Sequence, residues 1–404
     1  MLLSISWRNI WRHPARSGVL IGAIVAGMWA GILVSSWVNA LIDQRINRVI
    51  QEELTHLQIH HPEFLTEREP GMIIQHHDDI FSFLNSDQRV ETFTARTLVD
   101  GIVQSPQTAS GVQISGIDPV TERETTTFHH NLTEGDYIDV DIINPVMIGR
   151  KLAERLNVEP GNRIVLSFQD LDNDLTSAAF NITGIFYTGQ PAFDERKVYI
   201  RSKDLHSLIA NEPVYHEIAV MLHDIDTSDE IAADLNQQFE SVVTETWIEL
   251  SPELRFMTGA GESYMFYIML VIMFALAFGI LNTMLMAIFE RMREIGMLMA
   301  IGMSKIRVFT MIMLESIALT LTGAALGMIV AHFTVEYFGE HGLDLTAFGG
   351  DTMAEWGYDA IAYPFVNMED YISVTILVIA TAILSAVYPA LKAIRLDPSS
   401  TVLE

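Results

Sequence analysis

The sequence predicts a membrane protein with four transmembrane α-helices and a large α+β extracytoplasmic domain inserted between helices 1 and 2. Three observations lead to this prediction. Four apolar runs are each long enough to cross a bilayer, which takes about 20 residues. The long stretch between the first two runs, residues 42–262, mixes the hydrophobic periods of strands and helices. Lysine and arginine are concentrated in only some of the connecting segments, and this asymmetry orients the chain.

The composition limits the class of protein. The chain has 404 residues, half of them hydrophobic, and no cysteine. It therefore has neither a disulfide framework nor a thiolate metal site. The formal net charge of −27 argues against nucleic acid as a partner. We interpret the acidity as a generally solvated surface, with a basic partner or a salty habitat as the alternatives.

The first 41 residues predict an interfacial helix and then a membrane span. Residues 1–16 interleave arginines with tryptophans, and Leu3, Trp7 and Trp11 fall on one helical face. This pattern is typical of an amphipathic helix at the membrane surface. Residues 17–41 are long enough to span once and lack the small-residue cleavage site of a signal peptide.

Residues 42–262 have the patterns of a mixed domain. Alternation predicts strands at residues 54–60, 111–117, 163–168, 180–186 and 217–222. Helical periodicity predicts helices at residues 78–85, 145–156 and 228–239. Strands and helices in this mixture indicate an α+β domain, which we expect to have two subdomains.

The rest of the chain predicts three more spans and their connections. The spans are residues 263–289, 308–338 and 371–391, and the connections are a link at 290–307, a loop at 339–370 and a tail at 392–404. The N-terminal arm, the link and the tail hold nine lysines and arginines, whereas the loop holds seven acidic residues and no basic one. Since cytoplasmic segments carry the excess of positive charge, both termini should lie inside and the large domain outside.

The link at residues 290–307 has the pattern of an interaction helix. Ile295, Met299 and Met303 share a helical face, and basic residues bracket this apolar stripe. Such a helix can lie on the membrane surface, or its apolar face can enter a groove on a soluble partner. A positively charged loop that only fixes topology is the alternative.

This link also resembles a known family. Its wording E-R-x-R-E-I-G-x-L-x-A-I-G-x-S, residues 290–304, resembles the signature of FtsX-like permeases of ABC transporters, the mechanotransmission (type VII) family that includes MacB and LolC/LolE. Residues 146–166 and the tail are similar to the family's external and C-terminal patterns. The resemblance implies a MacB-like external domain with its outer subdomain inserted near 111–200. Met299 departs from the family pattern, in which an arginine is frequent at this position.

In that family the link is the coupling helix that docks on a separate ATPase. The resemblance therefore implies ATPase-coupling roles for Glu290, Arg291, Arg293, Glu294, Ile295, Gly296, Leu298, Ile301, Gly302 and Ser304. A few central residues carry most of the energy at such contacts. We expect these to be Glu294, Ile295, Leu298 and Ile301, with Gly296 and Gly302 permitting close approach.

No pattern in the chain predicts catalysis. It has no G-x-x-x-x-G-K-[ST], no G-x-S-x-G and no H-E-x-x-H. We therefore expect no enzyme activity and no catalytic, cofactor or metal residues, with ATP and magnesium bound by the partner ATPase. Adjacent histidines on a strand point to opposite faces, so the doublets at 60–61, 76–77 and 129–130 predict exposed side chains and not metal ligands.

Small residues and one carboxylate predict helix packing. Gly27 and Gly31 lie four residues apart, a spacing that lets another helix approach closely. Glu315, Gly323 and Gly327 resemble the family pattern E-x₇-G-x₃-G. We expect these glycines at contacts between two permease chains. A carboxylate two turns into a span costs a few kcal/mol unless it is paired, so we expect Glu315 to make a polar contact in the bundle. The alternative is that the Glu315 side chain reaches back to the cytoplasmic membrane interface.

The resemblance implies the permease subunit of an ABC transporter, which passes ATP-driven motion to an external domain acting on a lipoprotein, amphiphile or peptide. The alternative is a regulatory or sensory membrane protein, which controls a cell-wall enzyme or signals without transporting cargo. The expected partners are a cytoplasmic ATPase dimer, a second permease copy or a paralogous permease, and a periplasmic adaptor or carrier protein. The expected location is the bacterial inner membrane.

Overall fold

The computed structural model describes residues 14–210, 212–346, 358 and 360–395. The chain forms two compact units. The helical unit comprises Met1–Asp43, Met257–Leu345 and Ile361–Glu404, and the sheet unit comprises Gln44–Phe256 and Thr346–Ala360. Most of the expected interfacial helix at 1–16 and of the tail at 392–404 lies outside the described residues.

Thirteen α-helices occur in the described residues. In chain order they are α1 (Pro14–Val49), α2 (Phe64–Glu67), α3 (His77–Ser86), α4 (Pro119–Thr125), α5 (Arg150–Leu156), α6 (Pro191–Arg196), α7 (Ser202–Ile209), α8 (Ser228–Gln238), α9 (Trp247–Leu250), α10 (Pro252–Glu290), α11 (Met292–Ala300), α12 (Lys305–His341) and α13 (Met368–Ile394). Four of them, α1, α10, α12 and α13, are long and apolar enough to cross a membrane. The prediction of four such helices is confirmed. They are longer than the apolar runs because the backbone hydrogen bonds continue into flanking polar residues.

The four long helices share one core within the helical unit. On α1 the residues Leu20, Ile24, Met28 and Ile32 recur every fourth position and are all buried in it. A spacing of four keeps these side chains on one stripe of the helix. Buried residues of α10, α12 and α13 complete the same cluster. The helical period read from the sequence therefore corresponds to a real inward face.

The described residues of the sheet unit form ten strands. They are β1 (Leu57–His60), β2 (Val90–Gln104), β3 (Ala109–Ile117), β4 (Leu132–Gly135), β5 (Pro145–Gly149), β6 (Arg163–Gln169), β7 (Leu175–Phe186), β8 (Lys197–Arg201), β9 (Glu217–Leu222) and β10 (Val243–Thr246). They are ordered β10-β1-β9-β2-β3-β8-β5-β7-β4, and β6 pairs with both β2 and β7. All five predicted strands are present, but the first, predicted at residues 54–60, begins only at Leu57 because Leu54 still belongs to a helical turn. The helix predicted at 145–156 is wrong in its first part, because residues 145–149 form a strand that pairs with β7 and β8.

Two main cores lie in the sheet unit, and β2 contributes side chains to both. One core uses β1, β9, α3 and α8, with buried residues from Leu57 to Val242. The other has buried residues from Val99 to Val214. The insert expected at 111–200 lies inside this second range. The range starts earlier because the second half of β2 pairs with β3, and it ends later because α7 joins the core.

A buried ionic network lies where β2 passes from the first of these two cores to the second. Arg96 is opposite Glu217 of β9, and the next residue of β2 is already paired with β3. The Arg96 guanidinium donates to Glu122 at 2.6 and 3.0 Å and to Glu217 at 2.7 Å. Although burial alone raises the pKa of Glu217, Arg96 and His60 lower it to about 2. The crossing point is therefore held by charge as well as by apolar packing.

Histidines near this network are buried. His60 lies 3.3 Å from Glu217 and is 1% exposed, so the expectation of an exposed side chain was wrong for this residue. His216 accepts a hydrogen bond from the amide of Leu98 on Nδ1 and has Nε2 2.9 Å from the carbonyl oxygen of Pro70. That pattern requires a neutral ring with its proton on Nε2. Burial lowers the pKa of His216 to about 4, in agreement with this arrangement.

Candidate functional site

The link between α10 and α12 is a short helix with a defined start. α10 ends at Glu290, and α11 begins at Met292 after the single non-helical residue Arg291. The carbonyl oxygen of Arg291 accepts the first helical bond, from the amide of Ile295 at 3.0 Å. The interaction helix predicted within 290–307 is therefore present at residues 292–300.

A closed turn ends α11. The amide of Met303 donates to the carbonyl of Leu298 at 3.0 Å, and the amide of Gly302 donates to that of Met299 at 3.1 Å. These two bonds form a Schellman motif, which needs a left-handed residue at its centre. Gly302 supplies it with φ of +106°. No atom of the chain lies within 4 Å of a Cβ built on Gly302, so within this chain the glycine serves the turn. The close approach of the ATPase at Gly302 stays a prediction.

The apolar stripe of α11 faces the chain's own helices. Ile295 is 3% exposed and belongs to the core of the helical unit, and Met299 and Met303 pack against that core. Gly296 is buried as well. The expectation that this stripe enters a groove on a partner is therefore wrong, because the bundle already covers it. A stripe in the sequence shows that a face will be covered but not what covers it.

The opposite face of α11 is open. Arg293, Glu294 and Met297 are exposed on it, and Ile301 is 86% exposed in the turn that follows. Glu290, Gly302 and Ser304 are exposed too, whereas Leu298 is half-buried. Sequence reasoning missed Met297, although its spacing of three and four residues from Glu294 and Arg293 places it on their face. We call Arg293, Glu294, Met297 and Ile301 the outer face.

Arg291 does not belong to this outer face. Its Nη1 donates to both carboxylate oxygens of Glu315 on α12, at 3.2 and 3.1 Å, and its Nε lies 3.3 Å from Glu294. The Arg291 and Glu315 side chains are only 13% and 16% exposed. Glu315 therefore has the polar contact that we expected of it. Its partner is a residue that the resemblance had assigned to the ATPase contact.

The four glycines predicted at helix contacts lie at contacts within one chain. A Cβ on Gly323 or Gly327 of α12 would come within 2.8 or 2.7 Å of the Cβ of Ile24 or Met28 on α1. A Cβ on Gly27 or Gly31 would come within 3.0 or 2.9 Å of a side chain of α10 or α13, respectively. Their expected role in pairing two chains is therefore corrected to packing inside a single bundle. The small residues are needed because α1 passes close to all three other long helices.

Metal-binding clusters are absent from the part of the chain that the structure describes: no three histidine, aspartate or glutamate side chains come together there. The outer face of α11 is exposed and combines apolar with charged side chains.

Comparisons with known proteins agree with the two-part architecture. Residues 17–238 match the family described as MacB-like periplasmic core domain, and residues 266–398 match FtsX-like permease C-terminal. Lipoprotein-releasing system transmembrane protein LolC from Xylella fastidiosa (strain Temecula1) is 20% identical over 71% of this chain and 71% of its own length. LolC from Neisseria meningitidis serogroup B is 21% identical over 72% of this chain and 73% of its own.

Solved structures of two external domains are also similar. The periplasmic region of MacB from Actinobacillus actinomycetemcomitans is 14% identical, with 50% of this chain and 94% of that chain covered and a TM-score of 0.35. The extracellular domain of the transporter YknZ from Gram-positive bacteria is 12% identical, with 47% and 99% covered and a TM-score of 0.33. Since the MacB-like match alone covers more than half of the 404 residues, the chain belongs to the family of ABC transporter permeases of the LolC and MacB type.

Proposed function

We propose that this chain transmits the ATP-driven motion of a separate cytoplasmic ATPase to its own external domain, and that this motion extracts or exports a lipoprotein, amphiphile or peptide. In this proposal the sheet unit is periplasmic, inserted between the first two spans, and both termini and α11 are cytoplasmic. The positive charge of the link and the acidity of the 339–370 loop support that orientation. The name of the LolC relatives supports a lipoprotein cargo.

The observation that carries the proposal is the outer face of α11. It combines two exposed apolar side chains, Met297 and Ile301, with the charged Arg293 and Glu294. An apolar centre with a charged rim is the usual composition of a protein contact. Water is a poor environment for Ile301, and a groove on a soluble ATPase would cover it.

The other side of α11 gives this contact a mechanical consequence. Ile295 is embedded in the core that joins the four long helices, so a force on the outer face is passed to the bundle. Packed interiors have low compressibility and therefore transmit displacement. A docked ATPase that moves α11 would move the ends of α10 and α12 with it.

Co-purification with the ATPase encoded beside the permease tests the proposal. Ile301→Asp and Met297→Asp place a charge at the centre of the contact, and each should weaken ATPase binding at least tenfold, since burying an unpaired charge is costly. Leu175→Asp is the matched control. Leu175 is also an exposed apolar residue, 77% exposed, but it lies on β7 of the sheet unit.

Ile295→Asp separates the two faces. Because Ile295 is a core residue, this variant should lower the amount of folded permease, whereas the outer-face variants should insert normally. Normal ATPase binding and normal cargo-stimulated hydrolysis in both outer-face variants would show that α11 is only a topological link. Loss of binding in Leu175→Asp as well would mean that the assay reports misfolding.

A further inference from the structure

We propose that the Arg291–Glu315 ion pair is a positioning element that makes α11 and α12 move as one body, so that displacement at the outer face reaches the membrane helices. This inference rests on the proposed function and adds two residues that do not touch the ATPase. Without the pair, α11 would keep its outer face but pivot on its turn.

The short helix α11 is attached to α12 at two separated points. At its end, the Schellman turn around Gly302 leads α11 through Met303 and Ser304 directly into α12. At its start, Arg291 reaches Glu315 with two hydrogen bonds from Nη1. A rod held at one end can rotate about that end, whereas a rod held at both ends cannot.

Helix geometry agrees with a two-point attachment. The nine residues of α11 span about 13 Å, and Glu315 lies ten residues into α12, or about 15 Å along it. The reversal at Gly302 therefore brings the start of α11 level with Glu315. The ion pair closes a triangle whose other two sides are the helices.

The remaining contacts of α11 are less directional. Ile295 packs α11 against the core and transmits force there, but apolar packing is non-directional, whereas a charged hydrogen bond favours one orientation. At the junction with α10, Arg291 is the only non-helical residue between two helices. The angle of α11 is thus set at its start by the Arg291 side chain.

The position of Glu315 indicates a role for its charge. Glu315 is part of an apolar helix that is long enough to cross a membrane, where an unpaired carboxylate is costly. Stability alone would be served equally well by an apolar residue, because replacing a buried ion pair with well-packed apolar side chains is often neutral. A directional contact between one helix start and one neighbouring helix is what an apolar residue cannot supply.

The test uses the full permease reconstituted with its ATPase. Glu315→Gln and Arg291→Gln remove the charge attraction and keep a side chain of similar kind. We expect ATPase binding within about twofold of the native value, and cargo-stimulated hydrolysis per bound ATPase lowered about tenfold, the size that loss of hydrogen bonds between charged groups implies. The double variant Arg291→Glu/Glu315→Arg restores the pair in reverse and should recover at least half of the coupling.

Glu336→Gln is the matched control, because Glu336 is an exposed carboxylate on the same helix, α12. It should leave both binding and coupling unchanged. Native coupling in Glu315→Gln and Arg291→Gln would overturn the proposal. So would a reversed pair that behaves no better than the single variants, because a specific contact between these two residues must be rescued by exchanging them.

A distance measurement tests the positioning without the ATPase. The chain has no cysteine, so spin labels at Arg293→Cys on α11 and Leu321→Cys on α12 report one distance. We expect a narrow distribution that broadens when Glu315→Gln is added and narrows again in the reversed pair. An unchanged distribution in Glu315→Gln would overturn the proposal. Failure of the native chain to bind any ATPase would refute the proposed function, while this distance would still decide the positioning role.

Discussion

Arg96 provides the sharpest test of what holds the sheet unit together. Arg96→Ala removes the cation between Glu122 and Glu217 and leaves two carboxylates buried without it. Both carboxylates are at most 8% exposed, so water cannot replace the lost partner. Breaking a buried ion pair by removing one partner costs about 3–5 kcal/mol. Since Glu122 and Glu217 lose the same partner here, we expect a loss of folding stability in the upper half of that range.

The assay is pulse proteolysis of the full chain in detergent across a urea series, following the fragment that contains the sheet unit. With a urea dependence of about 2–3 kcal/mol/M, a loss of about 4 kcal/mol lowers the midpoint by roughly 1.3–2 M. The variant must be compared with the native chain at one pH, because protonation of Glu122 and Glu217 would reduce the loss of folding stability.

Arg89→Ala is the matched control. Arg89 also contacts two carboxylates, Asp87 at 2.6 Å and Asp234 at 2.8 Å, but its side chain is 34% exposed and Asp234 is more exposed still. Exposed ion pairs contribute about 0.2–1 kcal/mol. The midpoint should therefore move by less than about 0.5 M. Equal shifts in the two variants would refute the argument that burial, and not the number of partners, sets the magnitude.

Three further predictions follow from the same structure. Burial lowers the pKa of His216 from 6.5 to about 4, so the unfolded chain binds its proton first as pH falls, and about 2 kcal/mol of stability should be lost between pH 7 and pH 5. Urea titrations should show a smaller loss in His216→Gln, and an equal loss would contradict the assignment. Gly327→Ala should lower the thermal midpoint by overpacking against α1, while Gly22→Ala, with nothing within 4 Å, should not. A change in oligomer size at unaltered stability would instead place Gly327 between chains. For topology, a cysteine at Asp172 should react with an impermeant reagent from outside and one at Ser304 should not, and the reverse pattern would invert the proposed orientation.

The sequence by itself determined the elements of this protein. Four apolar runs became four long helices, and alternating patterns such as residues 111–117 became strands, because hydrophobic periodicity is a local property that any fold of the chain must satisfy. The sequence motif of the link pointed to the permease family, and the matches over both parts of the chain agree with it. Where a local pattern was ambiguous, as at residues 145–149, a buried apolar run was assigned to the wrong element.

Only the tertiary structure decided which surface meets which partner. The sequence showed that α11 has an apolar stripe, but the stripe through Ile295 is covered by the bundle, and Met297 and Ile301 are left outside. It showed a carboxylate at Glu315, but its partner Arg291 lies 24 residues away, beyond any helical repeat. It showed close-packing glycines without saying that neighbouring helices of the same chain pack against them. Periodicity specifies that a face is covered, whereas the identity of the covering group depends on contacts between segments distant in the chain.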